Sequence, residues 1–317
     1  MPVKADLRAA QLDACSDPRM KLAIAKTLVE AKIARSIQVL EWLAERYDLS
    51  REVLLAKREA LKLRQARTVI AVRSVEGRVA VKYWEAYGKV LPEALDFQGR
   101  MTTSHQNNAT DPVNAALNYG YGFLEGEVRR AINTLGFEPA VGFLHDTSDY
   151  QTKQSLVYDI QEPFRWLVDL TAMQAFESGS LDVPNFHFTG DDYRYRFDAE
   201  AKTRFLNLLR ERFNSGVTYK GRVVKWDTVM ELKMNEFGRY LTEKASALDF
   251  TEPAPKLKRN DNRELRTAIL SLTPSQTKKL NIRKSSLHYL RKRAMSDSFR
   301  IYGKTARKLE QIPSVEV

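Results

Sequence analysis

A single cysteine, Cys15, stands in 317 residues, so no intramolecular disulfide can form and no Cys pair is present to hold zinc. That fits a reducing compartment, and the cytoplasm is the expected location. Histidine is scarce too, at four residues, which leaves little for a zinc site built on imidazoles. No apolar run approaches the roughly 18 residues of a membrane span. The opening stretch, residues 1–8, carries Lys4, Asp6 and Arg8 where a signal peptide needs an apolar core. No membrane association is expected. Gly120-Tyr-Gly122 follows no strand and precedes no Lys-Ser/Thr pair, so it does not read as a phosphate loop. A nucleophile elbow and a dinucleotide fingerprint are also missing, which sets aside acyl transfer and nucleotide-cofactor chemistry.

What is present is a composition of soluble globular type, 43% hydrophobic and 29% charged, long enough for one or two domains. The net charge of +11 is unevenly placed. Residues 251–317 hold sixteen Lys/Arg against six Asp/Glu, whereas the first 250 hold thirty-five against thirty-four. A basic segment on a near-neutral body is the footprint of contact with a polyanion. A solvated, solubilising surface is the plainer reading of the same charges.

The body, residues 1–250, reads as mainly α. Asp17-Pro18 starts a long amphipathic helix over 17–48, with Leu22, Leu28, Ile33, Ile37, Leu40 and Leu43 at helical spacing. Ser50 opens a second helix to about residue 70. A third, from about Val69 to Tyr87, carries Glu76 on the face of Val79 and Tyr83. Residues 92–110 lack periodicity and read as a loop. Asp111-Pro112 caps a helix that ends near Leu135 at Gly136. Ser155 starts the next, where Asp159 and Glu162 share one side and Pro163 predicts a kink. Hairpins are expected over 186–197 and 217–225, the latter turning at Lys220-Gly221, with a helix from Trp226 to about Ala247. Residues 251–260 have the composition of a linker. Residues 261–310 then suggest three short helices, at about 261–271, 274–280 and 284–295, with the spacing of a helix-turn-helix. Its basic second helix makes Lys284, Arg291, Lys292 and Arg293 candidate DNA contacts, a basic structural tail being the alternative.

Three residues stand in distinctive stretches: Glu76 in Val75-Glu-Gly-Arg78, His145 at the end of Gly142-Phe-Leu-His145, and Glu162 in Asp159-Ile-Gln-Glu162-Pro-Phe-Arg165. Two carboxylates and one imidazole suit Mg²⁺ or Mn²⁺ better than zinc, and so few ligands leave positions for phosphate oxygens and water. Each residue alone also has a plain reading. His145 is then a buried core histidine, Glu76 a solvated helix residue, and Asp159 and Glu162 partners of Arg165 or a nearby lysine in surface ion pairs. His105 and His187 match no site pattern, and His288 is expected to face DNA or solvent. The aromatics Tyr83, Trp84, Tyr87, Tyr119 and Tyr121 read as core.

Together with Asp111-Pro-Val-Asn114, the stretch from Asn118 to Tyr121, Gly136-Phe-Glu-Pro139 and Ala31-Lys32-Ile33, these motifs resemble one family: Cas one, the CRISPR adaptation integrase. The resemblance runs from about Asp17 to Phe250. It implies a helical, metal-dependent integrase domain with Glu76, His145 and Glu162 as ligands of Mg²⁺ or Mn²⁺, and with Asp159 as a supporting acidic residue. It also implies a DNA endonuclease and integrase in which a 3′-hydroxyl of spacer DNA attacks a phosphodiester at the CRISPR repeat. DNA, a second copy of the chain in a homodimer or higher oligomer, and the small protein Cas two are the implied partners. Typical members begin with a separate β-rich domain; here about sixteen residues precede the first expected helix, which leaves dimer geometry and Cas two contact open. The basic C-terminal module is similar to one found in the integrases of casposons, mobile elements that share the chemistry. A casposon-type transposase and a non-catalytic, architectural DNA-binding protein are therefore the alternatives.

Overall fold

The computed structural model describes residues 4–100, 109–145, 154–189, 194–253, 269–279, 282 and 284–294. Ten α-helices of six residues or more and two small hairpins are found among them, which makes the protein mainly α, as expected. Helix α1 spans Lys4–Ser16, α2 Pro18–Ala44, α3 Ser50–Ala60, α4 Val69–Val90, α5 Pro112–Leu135 and α6 Ser155–Glu177. After β1 (Phe186–Thr189) and β2 (Arg194–Phe197) come α7 (Ala199–Asn214), β3 (Gly216–Tyr219), β4 (Arg222–Lys225) and α8 (Trp226–Leu241). The basic C-terminal segment contributes α9 (Pro274–Lys279) and α10 (Lys284–Ala294).

Helix α6 is the axis of the body. It is buried almost all round, from Leu156 and Val157 to Ala175 and Phe176, with polar residues such as Asp159, Glu162 and Asp169 among them, so it is covered on every side. It packs against α2 on one flank, α5 on another and α7 on a third, while α4 packs on α2 and α3. The helix continues through Pro163, which has no N–H to give the Asp159 carbonyl.

The helix starts follow the local chemistry that the sequence announces. The Asp17 carboxylate accepts from the Arg19 N–H with Pro18 next in line, and Asp111 accepts from the Asn114 N–H at 2.7 Å ahead of Pro112. Gly136, at φ 87°, ends α5 in the left-handed region. Lys220 and Gly221 both have positive φ, 47° and 80°, so the β3–β4 turn is of the primed kind that matches strand twist. Differences lie at other ends. The helix expected from Ser50 to residue 70 stops at Ala60 and tightens to a 3₁₀ turn over Leu61–Gln65. Helix α8 stops at Leu241, not near Ala247, because Glu243 turns to φ 56° and Lys244 N–H closes onto the Arg239 carbonyl.

Helix α1 was not expected, and it clasps the segment that leads to His145. Gln11, fully buried, donates to the carbonyls of Glu138 (3.0 Å) and Val141 (2.7 Å) and accepts from the Glu138 N–H (2.9 Å). Arg8 and Cys15 bond the carbonyls of Gly136 and Gly142. From the opposite side Phe137 and Phe143 pack on Phe237 of α8.

The body also extends past residue 250. Glu252, inside the segment expected as a linker, is buried against α2 and α6: its carboxylate accepts from Trp166 Nε1 at 2.7 Å and lies 3.5 Å from Arg35 Nε. Residues 254–268, most of the expected linker and of the first expected module helix, lie outside the described residues. In the module, α9 is capped by Thr273, whose hydroxyl accepts from the Gln276 N–H while its own N–H donates to the Gln276 side chain.

Burial pushes the Glu252 carboxyl up to about 8, more than Arg35 and the Trp166 hydrogen bond hold it down. The folded value exceeds the ordinary unfolded one, so its contribution to stability is complete below about pH 4.5 and is lost as pH rises through about 8. The variant Glu252→Gln keeps an acceptor for Trp166 and loses this dependence. Thermal unfolding from pH 5 to 9 should show the native protein falling relative to the variant; a constant gap between the two would contradict it.

Candidate active site

Three separate elements deliver the candidate ligands to one groove of about 1070 Å³, lined by Glu76, His145, Glu162, Lys32, Arg165 and Asp169 among others. Glu76 stands in the middle of α4, where Val75, Val79 and Tyr83 turn into the core and leave its carboxylate at the groove wall. Glu162 projects from α6, and His145 ends the stretch that α1 clasps.

Asp159 and Glu162 share α6 but have different work. Asp159 is wholly buried and accepts from the backbone N–H groups of Phe143, Leu144 (2.9 Å) and His145 (2.9 Å). Its Oδ1 also meets His145 Nδ1 at 2.8 Å. A carboxylate only accepts, so Nδ1 carries the proton, and Nε2 is the nitrogen through which the ring would coordinate a metal. Asp159 is thus the clamp that orients the imidazole. Burial pulls His145 down, but the hydrogen bond and charge of Asp159, with Glu162, outweigh it and hold the ring above the ordinary histidine value. Gly142 makes the clamp possible: a Cβ there would lie 2.8 Å from the Ser155 carbonyl carbon and 3.0 Å from Asp159 Oδ2.

Glu162 is buried among cations. Arg165 Nη1 donates to Oε1 at 2.8 Å, and the Lys32 ammonium of α2 lies 2.5 Å from Oε2. Lys32 pairs with Glu76 as well, so a single ammonium bridges the two carboxylates. Burial opposes ionisation of Glu162, but Arg165, Lys32 and His145 reverse the balance and hold it well below the usual carboxylate range. Burial likewise opposes the Lys32 charge, and Glu162 and Glu76 more than compensate. The plain reading of an ion pair between Glu162 and Arg165 is correct in its partners, but the pair is buried rather than on the surface.

A second buried carboxylate stiffens the floor. Asp169 accepts from the hydroxyls of Tyr83 (3.0 Å) and Tyr121 (2.5 Å), and Tyr87 donates to its carbonyl (2.8 Å). Burial pushes Asp169 up to about 6, the tyrosine bond and Arg165 holding it from going higher. The Arg165 guanidinium sits 4.1 Å from the centre of the Tyr121 ring, which fixes the cation that faces Glu162. These tyrosines are core residues, as expected, but their hydroxyls reach the site.

Two oxygen-bearing carboxylates and an imidazole with its tautomer set form a hard donor group suited to Mg²⁺ or Mn²⁺. The fit has a local sign: among the described residues the buried Glu162 Oε2 is matched by the Lys32 ammonium alone. Among the described residues no three His, Cys, Asp or Glu side chains are grouped closely enough to enclose a metal position, and the Lys32 ammonium bridges Glu76 and Glu162. Lys32 is the functional residue that spacing alone misses, since its partners lie 44 and 130 positions away. Of the candidate DNA contacts, Lys292 is exposed on α10, whereas Arg291 is turned inward, bonding the carbonyls of Ile269 (3.5 Å) and Leu272 (2.7 Å). Lys284 and Arg293 lie on the same helix. His187 and His288 are exposed, and His105 lies outside the described residues. No helix among the described residues is long and apolar enough to cross a membrane.

The family model described as CRISPR associated protein Cas1 matches residues 2–211, starting ahead of Asp17 and so including α1. CRISPR-associated endonuclease Cas1 1 of Methanospirillum hungatei JF-1 is 30% identical over 197 residues, covering 62% of this chain and 57% of its own. CRISPR-associated endonuclease Cas1 of Methanopyrus kandleri is 34% identical over 221 residues, covering 67% and 64%. The chain thus spans about three fifths of the length of these curated relatives. A solved structure of a casposase bound to integration product superposes with a TM-score of 0.73 at 34% identity, covering 80% of this chain and 73% of that one.

Asp159→Asn would turn one acceptor into a donor facing backbone N–H groups. The loss of charge-assisted bonds should cost about 3 kcal/mol in urea denaturation, within the range for buried charged hydrogen bonds. A cost under about 0.5 kcal/mol, the size of an ordinary surface substitution, would show that the clamp is not needed.

Proposed function

The chain belongs to the CRISPR associated protein Cas1 family, and we propose on that basis that it is a metal-dependent DNA endonuclease and integrase of CRISPR adaptation. The observation that supports the reading most is the meeting of Glu76, His145 and Glu162, from α4, the 136–145 stretch and α6, in one groove that also presents Lys32 and Arg165. Glu76, Glu162 and His145 Nε2 would hold Mg²⁺ or Mn²⁺. When bound, such an ion supplies Lewis-acid activation of a phosphodiester and a seat for an attacking hydroxyl. Asp159 holds the Nδ1 proton of His145 and orients the ring so that Nε2 is the nitrogen offered to a metal. Arg165, pinned over Tyr121, and Lys32 keep Glu162 ionised. The basic wall offers charge for the phosphates of spacer and repeat DNA. A homodimer or larger oligomer and the small protein Cas two belong to the same proposal as partners.

A casposon-type transposase is the second reading. It is favoured by the likeness to a casposase over 80% of this chain and by the basic helical segment after the body. The two readings share the chemistry and differ in target: insertion beside a CRISPR repeat supports adaptation, and insertion at a transposon target site supports the second.

His145→Ala and Glu76→Ala should each abolish Mn²⁺-dependent strand transfer of a 3′-hydroxyl end while leaving DNA affinity within a few-fold of native. Normal integration by either variant would overturn the assignment. In the C-terminal segment, Lys284, Lys292 and Arg293 are proposed as contacts of a DNA-binding helix-turn-helix, with Arg291 bracing it from within. Truncation after Pro253, which keeps the Glu252 contact, should weaken duplex binding and flatten its salt dependence by about 0.9 in log–log slope per phosphate contact removed. Unchanged affinity and slope would make the segment a docking or solubilising extension.

A further inference from the structure

Lys32 is in an unusual position for a lysine. It stands at the junction of α2, α4 and α6, mostly buried, with its ammonium against both Glu76 and Glu162. Among the described residues Glu162 Oε2 has no other cation, since Arg165 is spent on Oε1. Without a positive charge there, Glu162 would keep Arg165 on Oε1, but Oε2 would be buried beside a second carboxylate with no cation between them, which is destabilising. The two cations of the site also differ in freedom. Arg165 is fixed by its hydrogen bond to Glu162 and by the Tyr121 ring beneath it. Lys32 is a point charge on a flexible four-carbon stem that lines an open groove, so it can swing away without moving a helix.

We propose that Lys32 is a resident counter-ion: in the metal-free protein its ammonium holds Glu76 and Glu162 together in the place of a divalent cation, and that cation must displace it to bind. The proposal rests on the metal-binding reading of the site. Its consequence is specific. Lys32 keeps the ligands gathered in the metal-free protein and at the same time weakens their affinity for the metal, because each binding event must break two ion pairs. A lysine with a merely structural role predicts the reverse, since its removal would loosen the ligands and weaken metal binding.

The test is calorimetric titration of the full chain with MnCl₂, comparing the native protein with Lys32→Met and Lys32→Arg. Met keeps the length and apolar stem and removes the charge; Arg keeps the charge. The Met variant should bind Mn²⁺ about tenfold tighter or more, as expected for removing one unit charge beside a partly buried cation site. The Arg variant should stay near native affinity. In melting curves the Met variant should unfold at lower temperature than the native protein without metal and gain more from added Mn²⁺. Mn²⁺ binding in the Met variant equal to or weaker than native would overturn the proposal while leaving the metal site standing. Absence of Mn²⁺ binding in all three proteins would overturn the metal reading itself, and this inference with it. If Lys32→Met does not fold, Lys32→Gln gives the same comparison, its amide being equally uncharged.

Discussion

A carboxylate buried as deeply as Glu162 is tolerable only when positive charge surrounds it, and the junction of α2, α4 and α6 is organised around that demand. Arg165 comes from the next turn of the same helix, Lys32 from α2, and the Lys32 charge is shared with Glu76 of α4. The packing of three helices and the ionisation of the site are therefore one problem with one solution. Asp169 and its tyrosines extend the solution downward, because the ring they orient is the one on which Arg165 rests. Asp159 solves a different problem on the same helix: it satisfies three backbone donors in a tight turn and sets the face of an imidazole.

Much of the fold is legible in the sequence because many of its helices bury a regular apolar stripe, and α2 and α5 start with Asp-Pro while α4 and α9 have a threonine cap. Helix α1 escapes for a physical reason. Its inward face is Leu7, Gln11 and Ala14, with a glutamine at the centre that is buried because it binds backbone groups of a segment 127 residues later. No local pattern announces such a partner. The early end of α8 is hidden in the same way, since it depends on a non-glycine residue adopting a left-handed conformation that composition does not foretell. Glu252 lies among prolines and lysines that read as linker, and only the pocket between Arg35 and Trp166 shows why it is held.

At the site, Glu76, His145 and Glu162 are found from their motifs, and the groove brings them together. Their division of labour is not found that way. Spacing places Asp159 and Glu162 on one side of a helix, but burial and donors separate them into a clamp and a charge-stabilised candidate ligand. Lys32 sits in the sequence as an ordinary helix lysine, and its importance arises from two carboxylates that the fold brings to it. Arg291 is the converse: a basic residue that reads as a nucleic-acid contact and spends donors on carbonyls of its own segment.

The anchoring of Glu252 beside Trp166 has a geometric consequence for the chain that follows. Trp166 is adjacent to Arg165, so the point from which the C-terminal segment departs is fixed at the edge of the groove. Sixteen peptide units separate Pro253 from Ile269. Even drawn out fully they reach about 55 Å. Duplex DNA rises about 3.4 Å per base pair, so Ile269, where the helical segment begins, can lie no farther from Pro253 than the length of about sixteen base pairs. The anchor thus bounds how far from the groove's edge the C-terminal helical segment can begin.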